Sequence, residues 1–233
     1  MTWQETLNLW KNYDALDPVL KEELANNQDE EALKDAFGAN LSFGTAGMRG
    51  VLGAGPNRMN VYTVRQATEG LAQLIEEAGQ AAKDRGVAIS YDSRHYSPEF
   101  AMEAALVLGR HGIKSYVFES LRPTPELSFA VRYLNTYAGI MITASYNPAA
   151  YNGYKVYGED GGQMPPEDAD KLTEFVRAVE NPLTVEVGDK TELLGSGVVE
   201  IIGDRVDQAY LEEVKAVTIN PELVKEMADQ VSI

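Results

Sequence analysis

The sequence has 233 residues, 44% hydrophobic and 24% charged, with no cysteine and a formal net charge of −16 from 20 basic and 36 acidic side chains. These figures suit one large or two small globular domains with a sizeable core; they exclude disorder throughout, a disulfide framework, a thiolate nucleophile and a Cys-ligated zinc site. An acidic field repels nucleic acid, anionic lipid and sugar phosphates alike, so a site for any anion must gather the scarce Arg and Lys locally, together with backbone N–H groups.

The opening segment, MTWQETLNLWKNYD, is amphipathic and lacks the basic flank and apolar core of a signal peptide. No stretch approaches the roughly 20 apolar residues needed to span a bilayer, so a cytoplasmic protein with no membrane or nucleic-acid partner is expected. Residues 1–40 read as a lead of short helices, with Asp17-Pro18 as a helix start and 22–31 as a solvated acidic face. Leu41-Ser42-Phe43 reads as a strand, followed by a glycine-rich turn, Gly44-Thr45-Ala46-Gly47-Met48-Arg49-Gly50. A long helix capped by Asn60 is predicted over 60–79.

Repeated strand–helix units follow. Strands are predicted at 87–91, 113–118 and 138–143, with helices opening at Ser97-Pro98-Glu99 and Thr124-Pro125-Glu126. In both openings the hydroxyl is read as the cap and the proline as the first helical residue. A short strand at 153–157, a helix over 166–179, an irregular stretch at 181–196, a strand at 197–202 and helices over 204–216 and 221–229 complete the reading. Alternating strands and helices predict a three-layer α/β/α sandwich around a mainly parallel, mixed sheet. Residues 41–190 are expected to form the main domain. Residues 191–233 are expected to be the start of a second domain that is cut short.

Four motifs can carry chemistry. In Thr143-Ala144-Ser145-Tyr146-Asn147-Pro148 an apolar strand runs into small residues, a hydroxyl and a proline. That position lies beyond the carboxyl end of a strand, where α/β sheets bind ligands. Taken alone, the hexapeptide reads more readily as an ordinary Ser/Asn turn that favours itself through local hydrogen bonds. The glycine-rich segment lets backbone approach an anion, and Arg49 offers a forked donor for phosphate oxygens. No Gly-Lys-Ser/Thr follows, so it is not a Walker loop. Asp92-Ser93-Arg94, directly after a strand, reads as an ion pair that supports the serine loop. Asn152-Gly153-Tyr154-Lys155 carries a turn signal and a lysine able to serve as a proton-transfer group or an electrostatic partner of a phosphate.

In this order and spacing, GTAGMRG, YDSR, TASYNP and NGYK resemble the alpha-D-phosphohexomutase family, in its phosphoglucomutase and phosphomannomutase branch. The resemblance runs from about residue 40 to about 160. It implies that Ser145 is a phosphoserine that donates to a hexose phosphate, that a bisphosphorylated sugar forms and reorients, and that its other phosphate returns to the serine. Lys155 is then the acid/base or charge-stabilising residue. Arg49, Thr45, Gly47 and Tyr146 contact the phosphosugar, while Asp92, Arg94 and Asn147 support the loop. The resemblance also implies hexose phosphates as substrates, glucose 1,6-bisphosphate as activator and intermediate, and Mg2+ touching the phosphate on Ser145.

Two departures stand out. The family has histidine after the serine where this chain has Tyr146, and a phenol is a poorer proton shuttle at neutral pH than an imidazole. No carboxylate cluster of the DGDGDR type occurs. Asp168-Ala169-Asp170 reads as helix, and Ile202-Gly203-Asp204-Arg205 as a surface helix start. The chain is therefore expected to be an incomplete portion of the enzyme, inactive by itself and completed by the remaining domains of the same protein. The alternative is a non-catalytic phosphosugar-binding or regulatory module on the same fold.

Overall fold

The computed structural model describes residues 1–44 and 47–230. Its centre is a six-stranded mixed sheet in the order β1-β5-β4-β2-β3-β6. The strands are β1 (Gly47–Val51), β2 (Val87–Tyr91), β3 (Ser115–Phe118), β4 (Ala138–Ile142), β5 (Tyr151–Tyr157) and β6 (Val199–Ile202). β4, β2, β3 and β6 run parallel, whereas β5 is antiparallel to both β4 and β1. Every residue of β2 and β4 is buried, as expected of strands covered on both faces.

The period-two alternation of each strand divides the core. On one face Val87, Ile89, Ile140, Ile142, Tyr154 and Val156 cluster with α4 (Val61–Ala78), Ala82 of the short α5 (Gln80–Arg85), α6 (Ser97–Arg110) and α8 (Pro166–Ala178). On the other, Ala88, Met141, Tyr157 and Ile202 pack against α7 (Thr124–Tyr133) and Val206 of α10 (Asp204–Ala216). The result is the predicted α/β/α sandwich. Residues 199–216, part of the 191–233 segment expected to start a second domain, add a strand and a helix to this same sheet. None of the helices among the described residues is long and apolar enough to cross a membrane.

The lead folds into three helices, α1 (Trp3–Lys11), α2 (Pro18–Asn26) and α3 (Glu30–Phe37), around its own apolar cluster. Trp10 sits edge-on to Phe37 and Tyr62, with ring centroids 5.8 and 5.4 Å away. The Asp17 carboxylate caps α2 by accepting from the Val19 N–H at 2.9 Å, with Pro18 as the first helical residue. Tyr62 then staples the lead to α4: its hydroxyl donates to the Ala15 carbonyl and accepts from the Asp17 N–H.

Four local expectations are corrected. Residues 41–43 are not a strand; the strand lies inside the glycine-rich segment, because the glycines serve close packing rather than a turn. A Cβ on Gly47 would come within 2.3 Å of the Tyr154 carbonyl oxygen on the neighbouring strand. For the same reason Asn152-Gly153 is no turn but mid-strand, where a Cβ on Gly153 would meet the Thr143 carbonyl oxygen at 2.5 Å and that of Met48 at 2.9 Å. Neither Ser97 nor Thr124 caps its helix: each is the first helical residue, preceded by Tyr96 and Pro123, and neither opening has a side-chain cap bond. Finally, 181–196 is not wholly irregular, since it contains a 3-10 turn and the short α9 (Lys190–Ser196), capped by Asp189.

Candidate active site

The site is built at the carboxyl end of β4, where the chain leaves the sheet and returns along β5. Ser145 has a left-handed backbone (φ 56°), one of three non-glycine residues with positive φ among those described. This conformation is unfavourable for a residue with a Cβ and persists only where surrounding contacts impose it. Those contacts are visible. The Ser145 N–H donates to the Thr143 hydroxyl at 3.0 Å, and the Ser145 hydroxyl stands exposed to solvent.

Lys155 approaches from β5, and its Nζ donates to Ser145 Oγ at 2.8 Å. Gly47 pairs with Lys155, and Arg49 with Gly153, across the antiparallel β1–β5 ladder. Directly opposed residues share a face of the sheet, and so do residues two apart along a strand. Arg49 and Lys155 therefore stand as diagonal neighbours on one face, each opposite a glycine that offers no side chain to separate them. Arg49 is exposed, and its guanidinium has no hydrogen-bond or ionic partner among the described residues. In a chain of net charge −16, two cations beside an exposed hydroxyl form a local positive patch suited to an anion.

Arg94 explains how the loop is held. Its Nη1 donates to the carbonyls of Pro148 (2.9 Å) and Tyr151 (3.0 Å), and its Nη2 to those of Ser145 (2.9 Å) and Asn147 (2.7 Å). Asp92 lies behind it, with Oδ2 3.4 Å from Arg94 Nε and Oδ1 accepting from the Arg94 N–H at 3.0 Å. Asn147 contributes through its backbone, its N–H donating to the Ala144 carbonyl at 3.1 Å.

The sequence reading missed two members of this frame. Ser97 donates to Asp92 Oδ1 at 3.1 Å, which is why it does not cap α6. Asn152 is fully buried and donates to Ser97 Oγ at 2.9 Å and to the His95 carbonyl at 3.0 Å. The available signal was a polar amide two residues before Tyr154. On a strand, that spacing puts it on the same buried face as the tyrosine.

Of the residues expected to contact a substrate, Tyr146 is fully exposed, with no partner among the described residues. Thr45 lies outside the described residues. Among the described residues, neither histidine side chain bonds the Ser145 hydroxyl. His95 enters the frame by its carbonyl. His111 follows α6 at the amino end of the parallel strands, opposite Ser145. Its Nε2 is 2.8 Å from Glu69 and its Nδ1 3.2 Å from Glu76. These carboxylates, the Glu69 bond above all, hold the imidazolium above its usual pKa, and the same bond lowers that of Glu69.

Residues 40–182 match the family described as phosphoglucomutase/phosphomannomutase, alpha/beta/alpha domain I. The chain belongs to this family. Among curated phosphoglucomutases it is 41% identical to that of Staphylococcus saprophyticus over 208 residues, covering 89% of this chain and 37% of the relative. It is 44% identical to that of Staphylococcus epidermidis over 178 residues, covering 76% of this chain and 32% of the relative. It thus spans about a third of the length of the relatives it matches. A solved structure assigned as a phosphomannomutase, from Thermus thermophilus, aligns with a TM-score of 0.62 at 30% identity, covering 76% of this chain and 36% of that one. A phosphoglucomutase/phosphomannomutase family protein of Burkholderia thailandensis shares the fold at 21% identity, with a TM-score of 0.56 over 75% of this chain and 35% of that one.

A magnesium ion takes several converging oxygen ligands. Among the described residues of this phosphoglucomutase/phosphomannomutase domain, no group of three or more His, Cys, Asp or Glu is placed to hold a metal ion. Asp92, the carboxylate next to the serine loop, is engaged by Arg94 and Ser97. These residues do not by themselves fit a magnesium cage.

Proposed function

We propose that this chain contributes the phosphoserine domain of a phosphohexomutase, which interconverts hexose 1-phosphate and hexose 6-phosphate through a bisphosphorylated sugar. The observation that carries this reading is the 2.8 Å bond from Lys155 Nζ to the exposed Ser145 Oγ on a loop whose backbone is held by Arg94. Phosphoryl transfer asks a protein chiefly for positioning and concentrated positive charge. In the forward half-reaction a sugar hydroxyl attacks the phosphorus on Ser145 and the P–Oγ bond breaks. A proton passes from the Lys155 ammonium to the departing Oγ, while the sugar hydroxyl gives its proton to solvent. In the return half-reaction the neutral amine takes that proton back as Oγ attacks the sugar's other phosphate, the sugar P–O bond breaks, and the leaving sugar oxygen takes a proton from solvent. Arg49, on the same face, steadies the phosphosugar by forked hydrogen bonds.

The full activity belongs to the protein together with its remaining domains, in the cytoplasm, with glucose 1,6-bisphosphate as activator. Mg2+ is proposed as a cofactor that meets this chain only through a phosphate on Ser145. The 233-residue chain alone is expected to show no turnover. Phosphopeptide mass spectrometry on the protein purified from its own cells, after incubation with glucose 1,6-bisphosphate, should locate phosphate on Ser145. A peptide that stays unmodified, in a preparation that binds the sugar bisphosphate, would leave a binding module in place of a mutase.

A further inference from the structure

We propose that the main-chain N–H of Tyr146 is a hydrogen-bond donor to the phosphoryl group on Ser145, and that Arg94 is the residue that positions it. The inference rests on the reading of Ser145 as a phosphoserine and adds a ligand-binding element to that site. The Ser145–Tyr146 peptide is trans, so its carbonyl and its N–H point in opposite directions. The carbonyl is turned inward onto Arg94 Nη2 at 2.9 Å. The Arg94 side chain is only 13% exposed, whereas Ser145 and Tyr146 both face solvent. The Tyr146 N–H is therefore turned to the open side, one residue from the Ser145 hydroxyl. Among the described residues it has no acceptor.

Backbone N–H groups freed by a left-handed residue are donors of the kind that cradle phosphate. A preorganised donor is effective because it needs no reorientation during transfer. Arg94 makes this arrangement rigid. Four carbonyls of the loop converge on one guanidinium, which Asp92, Ser97 and Asn152 hold from behind. Lysine cannot replace it, since an ammonium lacks the planar fork that reaches four acceptors at once. A main-chain donor is also indifferent to the side chain that bears it. This accounts for a tyrosine at 146, where the family resemblance implies histidine.

The test encodes phosphoserine directly at position 145 of the full protein, with selective 15N-tyrosine labelling, so that it does not depend on the enzyme phosphorylating itself. The Tyr146 amide proton should move downfield relative to the unphosphorylated protein and follow the titration of the phosphate. In Arg94→Lys that movement should be lost while tyrosine amides far from the loop, such as those of Tyr62 and Tyr133, keep their positions. Replacing the 145–146 amide by an ester removes the donor, weakens only one of the four carbonyl acceptors of Arg94, and should slow phosphorylation from glucose 1,6-bisphosphate about tenfold. An unmoved Tyr146 amide, or an ester variant phosphorylated at the normal rate, overturns the inference while leaving the phosphoserine reading standing. A downfield amide in a protein that never phosphorylates Ser145 enzymatically does the reverse.

Discussion

Two arginines lie at the carboxyl edge of the sheet, and the fold uses them in opposite ways. Arg94, after β2, gives its guanidinium mostly to carbonyl oxygens, which carry no net charge, with a single carboxylate at 3.4 Å. Arg122, after β3, faces Asp207 at 2.6 Å, Glu119 at 3.6 Å and Glu126 at 3.9 Å. Its charge is more than cancelled. The first arrangement shapes a loop beside Arg49 and Lys155 and leaves the local field positive. The second closes a seam between α7 and α10 and repels anions. Position at the ligand-binding edge of an α/β sheet is thus not enough to make a phosphate site; the sign of the residual charge decides which part of the edge can hold one.

That contrast can be broken most severely at Ser145. Ser145→Ala should lower mutase turnover of the complete enzyme on the order of 10^4-fold or more in a coupled assay. Ser120→Ala, next to Arg122, should leave it unchanged. If the two substitutions behaved alike, the two ends of the edge would be equivalent and the assignment would fail. Lys155→Met should cost roughly 10^2- to 10^3-fold in kcat, because the donor to the departing Oγ is lost at the moment charge develops there. A change confined to KM would instead make Lys155 a binding residue.

The arginines themselves sharpen the comparison. Arg94→Ala and Arg122→Ala should each destabilise by about 2–4 kcal/mol in urea unfolding, since each strands several partly buried acceptors. Only Arg94→Ala should also slow phosphorylation of Ser145. The smallest effect is one of pH. Burial, followed by the hydrogen bond to Asp207, pushes the Glu126 carboxyl up to about 7 from an ordinary value of 4.5. Its folded pKa exceeds its unfolded one, so the folded state binds the extra proton. The stability this contributes is complete below about pH 4.5 and declines as pH rises towards 7. Urea midpoints measured across that window should fall more steeply in the parent than in Glu126→Gln. Parallel curves would show that Glu126 is ionised throughout.

Much of this molecule was legible in its residues. Asn60 and Asp17 announce helix starts because a side-chain oxygen before an apolar period has one obvious use, and both cap as predicted. The α/β order followed from apolar runs that alternate with amphipathic ones. Ser145, Lys155, Arg49 and the supporting Asp92–Arg94 pair were singled out from motif order, and the fold brings all five to one end of the sheet. What misled was local chemistry with more than one use. Asn-Gly signals a turn in isolation, yet Gly153 is mid-strand because neighbouring backbones leave no room for a Cβ. Ser97 is an ideal cap by sequence, yet Asp92 and Asn152 claim its hydroxyl.

The sequence by itself determined the elements, their capping and the inventory of groups able to handle a phosphate, because these depend on short-range periodicity and side-chain type. Only the tertiary structure decided which of them meet. The antiparallel return of β5 beside β1 sets Lys155 and Arg49 on one face, and the four carbonyls around Arg94 turn the Ser145 backbone left-handed. Both depend on contacts between residues about 50 to 100 positions apart, such as Arg94 with Ser145 and Gly47 with Lys155, and no local pattern encodes which distant carbonyl an arginine will reach.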